Sequence, residues 1–88
     1  MATGEIWKAD GSVQEVKPLD GKTFKLKELQ EIVGGFIEMQ TLANGQYIIL
    51  NEEGKINRLE INVKASTEWA KRGHKDDFIV GDVLVCDQ

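Results

Sequence analysis

Cysteine, histidine, proline and tyrosine each occur once in this 88-residue chain, and each scarcity removes a class of explanation. The lone Cys86 has no intramolecular partner, so the fold is not a disulfide scaffold. One histidine, His74, among scattered carboxylates lacks the several ligands at compatible spacing that a metal site needs. No apolar run approaches the roughly 20 residues that span a bilayer, and the start MATGEIWKADG lacks the basic-then-apolar pattern of a secretion signal. The expectation is a cytoplasmic protein with no metal, no cofactor and no membrane contact. Positive charge is scarce too: eleven Lys and Arg against fifteen Asp and Glu leave a net charge of -4. Nonspecific nucleic-acid binding needs a basic stripe, so no nucleic-acid partner is expected.

What is present centres on residues 25 to 50. Leu26, Leu29, Ile32 and Val33 recur at three- and four-residue intervals between charged and amide residues, the period of a helix with one buried stripe. Gly34 follows the last apolar position and stops the helix. At its start Lys25 is a poor cap, because its side chain offers no acceptor to the free amides. Residues 36 to 42 are rich in strand formers, Asn44-Gly45 is a favoured hairpin pair, and Tyr47 to Leu50 continue as a second strand. If Asn44 and Gly45 form a two-residue loop, Leu42 lies opposite Tyr47, Gln40 opposite Ile49 and Glu38 opposite Asn51, all on one face with Phe36. The other face then carries Ile37, Met39, Thr41, Ile48 and Leu50 and is the expected core side.

Before this unit, Glu5 to Lys8 and Ser12 to Lys17 flank the turn pair Asp10-Gly11 and read as a hairpin of edge strands, since neither has a clean apolar face. After it, Asn62 is placed to cap a helix through Ala65, Ser66, Trp69 and Ala70, with Lys71 and Arg72 in the last turn and Gly73 as stop. Residues 78 to 86, FIVGDVLVC, are apolar on both faces, which predicts a strand inside a sheet, beside the first strand or the hairpin. The expected fold class is α+β: a single small domain over residues 1–88, with a mostly antiparallel sheet of about four to five strands and two helices. A chain of this length buries only roughly 60 to 65 per cent of its unfolded surface, so self-association would help it.

Four strings, ELQEIVGGFIE at 28–38, NEEGK at 51–55, the Asn62-x-x-Ala65-Ser66 spacing and IVGDVLV at 79–85, occur in that order. Over residues 13–86 the chain thereby resembles a small family known as domain of unknown function 3846. Lys25 stands where Thr or Ser is usual in that family, and Val63 where proline is common. The family occurs in phages, plasmids and the bacteria that carry them, so the resemblance implies a mobile-element origin and a shared fold. It supplies no reaction.

The residues themselves assign no catalytic group. Cys86 in an apolar strand reads as a small hydrophobe, and Glu38 and Asp82 read as solvated edge and turn carboxylates. Lys71 to Lys75 form a basic cluster at a helix C-terminus, where the dipole repels anions. NEEGK has one glycine and two acids, unlike a phosphate-cradling loop. No enzyme is expected. Recognition is assigned instead to the mixed hairpin face, with Phe36, Glu38, Gln40, Tyr47, Ile49 and Asn51 as candidate binding residues, because rigid aromatics beside directional polar groups suit an interface. The expected function is a noncatalytic protein-interaction module, an accessory protein whose partner is a host or phage protein, with a homo-oligomer allowed. The alternative is a binder that sequesters a nucleotide or other small metabolite.

Overall fold

A computed structural model describes residues 3–87; the expected domain span also takes in residues 1, 2 and 88, which lie outside them. In chain order the elements are β1 (Gly4–Trp7), β2 (Val13–Val16), α1 (Leu26–Val33), β3 (Ile37–Thr41), β4 (Tyr47–Asn51), α2 (Val63–Lys71) and β5 (Val83–Cys86). The strands form one antiparallel sheet in the order β2-β1-β5-β4-β3. This is the α+β fold of five strands and two helices.

β5 lies at the centre because all four of its residues are buried and each face needs cover. It therefore pairs with both of the strands expected as alternatives, β1 on one side and β4 on the other. That placement corrects the reading of β1 as an edge: of the first two strands β2 alone lies at an edge, and Trp7 of β1 is buried. The strand is also shorter than the expected run from Phe78. Gly81 has φ 77°, and a Cβ there would stand 2.8 Å from Leu59 Cδ1, so the chain breaks direction at a residue that tolerates both conditions. Ahead of the break, Val80 bridges Ile61, and Gly81 N–H donates to Glu60 O at 2.7 Å.

The two helices cover opposite faces. Val33, Leu29 and Ile32 of α1 pack with Ile49, Leu84 and Cys86, whereas Ala65 and Trp69 of α2 pack with Trp7, Ile48, Val83 and Val85. At the start of α1, Lys25 makes no side-chain cap, and Glu28 supplies the acceptor instead, taking the Lys25 N–H at 2.7 Å and the Leu19 N–H at 2.8 Å. The helix ends at Gly34, as the sequence predicts, with φ 81°.

The hairpin register departs from expectation by one residue. Leu42 N–H donates to Gln46 O at 2.8 Å, so the loop holds three residues, 43 to 45, with Gly45 at φ 90° and the Asn44 side chain accepting the Gln46 N–H. A type I turn closed by a left-handed glycine is the standard three-residue alternative to the two-residue loop. Gln40 consequently faces Ile48, Met39 faces Ile49 and Glu38 faces Leu50. A slip of one residue reverses the sides of one strand relative to the other. Glu38, Gln40, Ile48 and Leu50 share the α2 side, while Ile37, Met39, Tyr47, Ile49 and Asn51 share the α1 side. The expected core face of Ile37, Met39, Thr41, Ile48 and Leu50 is therefore divided, and Met39 is 57% exposed.

Candidate functional site

On the α2 side, the outer half of the sheet is left open by the helix and forms the floor of a cleft of about 140 Å³. Glu38 and Gln40 of β3 and Leu50 of β4 lie along it, and Trp69 of α2 lines it together with Glu52, Lys55, Ile56 and residues 77 to 80. Gln40 Nε2 donates to Glu38 Oε2 at 2.9 Å, which fixes both side chains on the floor. Asp77 is held by three donors: the Lys55 ammonium, the Phe78 backbone N–H at 2.8 Å and Trp69 Nε1 at 3.2 Å. Lys55 also lies 4.6 Å from the centre of the Phe78 ring, and His74 stacks on Trp69 with centroids 4.0 Å apart. Ile56 is 78% exposed and Phe78 43%, so two large apolar side chains flank a polar floor.

The Lys55 hydrogen bond is the main reason that Asp77 titrates low, at about 2, with the Phe78 N–H next, partial desolvation opposing and Trp69 adding to the shift. A carboxylate with a lowered folded-state pKa contributes stability above its unfolded pKa and loses that contribution as pH falls through the folded value. For Asp77 this window runs from about 4 down to about 2. The contribution is small because the pair is solvent-exposed and screened. Asp77→Asn is therefore expected to unfold at lower urea concentration than the wild type at pH ~5, with the gap closing as the pH is taken through the window. A gap independent of pH would dissociate the ion pair from stability.

The six residues expected on one face are split by the register. Glu38 and Gln40 line the cleft, and Asn51 adjoins it. Phe36 is 64% exposed, and its carbonyl accepts the N–H of Glu52, a cleft residue, at 2.9 Å. Tyr47 and Ile49 lie on the opposite face, where they line a shallow apolar groove with Phe24, Leu29, Met39 and Cys86. Ile49 is 3% exposed, and Asn51 is 5% exposed with its amide donating to Val33 O at 3.1 Å and accepting from Glu53 N–H at 2.8 Å. Ile49 packs in the core cluster with Val33, Leu84 and Cys86, and Asn51 ties the end of α1 to the turn after β4.

The residues that complete the cleft, Lys55, Ile56, Trp69, Asp77 and Phe78, carry no joint spacing in the sequence and come together only through the loops. The one local signal is Phe78, an aromatic at the start of an apolar run after four polar residues. Two members of the basic cluster are engaged away from the cleft: Lys71 pairs with Glu68 at 2.8 Å, and the Arg72 guanidinium donates to Thr41 O. Burial is the first cause, and Asp87 the second, of a raised Cys86 thiol pKa, which keeps that group protonated. Asp82 accepts the Ala9 N–H at 3.0 Å and so holds the end of β1 to the turn before β5. Among the described residues no group of three or more His, Cys, Asp or Glu is arranged to hold a metal, and no helix is long and apolar enough to cross a membrane.

Compared with known proteins, residues 8–88 match the model of a family described as "Domain of unknown function (DUF3846)". No curated protein and no solved structure matches the chain.

Proposed function

The chain belongs to the DUF3846 family, and from the geometry of its cleft we propose that it is a noncatalytic protein-interaction module, a cytoplasmic accessory protein of a phage or plasmid that occupies the surface of a host or phage protein. The observation that carries this reading is the pairing of exposed Ile56 and Phe78 with a fixed polar floor of Glu38 and Gln40. Large apolar groups beside directional polar ones are what an interface anchor requires. The size of the cleft supports a side chain as its occupant. Small-molecule sites run to roughly 300 Å³ and above, whereas this open cleft offers about 140 Å³.

The chemistry of the lining points the same way. Glu38 is engaged by Gln40, Asp77 stays ionised beside Lys55 and has no proton to deliver near neutral pH, and the lining residues include no serine, cysteine or histidine to attack a substrate. Ile56→Asp with Phe78→Asp tests the reading. Both positions are exposed, so the thermal midpoint is expected to hold. A partner identified by photo-crosslinking from position 78 in the host and then purified is expected to bind with ~2 kcal/mol less free energy, roughly a thirtyfold rise in Kd. Unchanged affinity would remove the cleft from recognition, and a thermal shift on adding a metabolite would favour the small-ligand alternative.

A further inference from the structure

On its β3 side the sheet ends without a further strand from the described residues. Backbone directions along that edge follow from two bonds: Glu52 N–H donates to Phe36 O at 2.9 Å, and Leu42 N–H donates to Gln46 O at 2.8 Å. In an antiparallel pair, inward-bonded residues alternate with residues whose backbone groups point away. Phe36, Glu38, Gln40 and Leu42 thus bond inward to β4, and Ile37, Met39 and Thr41 present N–H and C=O groups outward. Arg72 donates to one of these, the Thr41 carbonyl, which retains a second lone pair.

We propose that this edge pairs antiparallel with the same edge of a second copy, about a two-fold axis at Met39, joining two five-stranded sheets into one. Side-chain complementarity selects the occupant and the register. Outward groups meet outward groups in several symmetric registers, of which the three centred on Glu38, Met39 and Gln40 overlap most of the strand. With Met39 opposite Met39 of the second copy, each Glu38 faces a Gln40 of the other copy, giving carboxylate–amide pairs on both sides of the axis. Slipping by two residues one way sets Glu38 against Glu38, a like-charge pair, and the other way sets Gln40 against Gln40 with both carboxylates unmatched. The central register also covers Met39, which is 57% exposed in the single chain.

The other edge lacks these features. β2 carries Glu15 and runs into Lys17-Pro18, a charged strand stopped by a residue without an N–H, which is how sheet edges are kept from pairing. β3 has one charge, Glu38, and the pairing answers it. Because Glu38 and Gln40 also floor the cleft, the two clefts of the dimer meet across the axis on one face of the joined sheet.

Sedimentation equilibrium of the full chain over a concentration series is expected to give a dimer of twice 9.8 kDa. Met39→Pro deletes an outward N–H while leaving every bond from β3 to β4, a position where an edge strand accepts proline. It is expected to give a monomer with the wild-type circular dichroism spectrum. Should the proline variant fail to fold, charge exchange decides: Gln40→Glu is expected to weaken the dimer roughly tenfold by setting carboxylates opposite each other twice, and Glu38→Gln with Gln40→Glu to restore it. A wild-type chain that stays monomeric at its highest soluble concentration overturns the proposal. So does a dimer indifferent to these changes. Ile56→Asp with Phe78→Asp leaves the dimer intact, which separates this result from the fate of the cleft as a partner site.

Discussion

Asn62→Leu is expected to cost on the order of 4 kcal/mol, a large share of the roughly 5 to 15 kcal/mol that holds a small domain folded. The Asn62 side chain is fully buried and joins three segments: its Nδ2 donates to Trp7 O at 2.8 Å and to Gly81 O at 2.9 Å, and its Oδ1 accepts the Ala65 N–H at 3.0 Å. The end of β1, the turn before β5 and the first turn of α2 thus meet at one amide. Leucine has a similar volume, so the substitution opens no large cavity. It leaves the Gly81 carbonyl and the Ala65 N–H buried without partners, at ~1 to 3 kcal/mol each, and takes from the Trp7 carbonyl the second of its two bonds, the first being the ladder bond to Val83 of β5. Asn62→Asp separates the contributions. An ionised aspartate keeps the Ala65 bond but aims an oxygen at two carbonyls, and protonation in mild acid returns one donor. Its urea midpoint is therefore expected to approach the wild type as pH falls toward 4. A loss below about 1 kcal/mol for Asn62→Leu, the typical value of an N-cap, would reduce the residue to a cap.

Trp69→Ala is expected to lose about 3 to 5 kcal/mol, the range for emptying a buried tryptophan site. Trp69 is 6% exposed and packs with Trp7, Ile48 and Val83 in the layer beneath α2, and it also lines the cleft. The alanine variant removes core and lining together. Trp69→Phe keeps most of the apolar body and deletes the N–H that reaches Asp77 at 3.2 Å, so it is expected to cost ~1 kcal/mol. Asp77 should then titrate higher than in the wild type yet remain below an ordinary carboxylate, since Lys55 and the Phe78 N–H outrank Trp69 among the causes. Chemical denaturation gives the first comparison, and carboxyl chemical shifts through an acid titration give the second. Equal losses for both variants would mean that the indole N–H, and not the volume, is the dominant contribution.

Legibility differed between elements for identifiable reasons. α1 is written locally: its stripe, its glycine stop and the weakness of Lys25 as a cap are all properties of adjacent residues. α2 was legible for the same reason, from the Asn62 cap to Gly73. The hairpin itself was legible from Asn44-Gly45, but its register was not. Two- and three-residue loops both accommodate that pair, and the choice between them rests on which strand residues find cover. Here cover exists on both faces, which lets Ile49 and Ile48 both be buried and removes the penalty that would have selected the shorter loop. With the register went the candidate face: Glu38 and Gln40 stayed together, while Tyr47 and Ile49 passed to the α1 side.

The sequence by itself determined the local elements, the central character of β5 and the weak chemical endowment of the chain, because helix periodicity, glycine stops and an all-apolar strand act over a few neighbours. Only the tertiary structure decided the rest. It placed β1 inside the sheet, put the helices on opposite faces, and brought Lys55, Trp69 and Asp77 to one cleft beside Glu38. Those contacts join residues far apart along the chain, the pairing of Gly4 with Cys86 spanning nearly its whole length. Their free energy comes from packing and desolvation between whole elements, to which no short run of residues gives a signal.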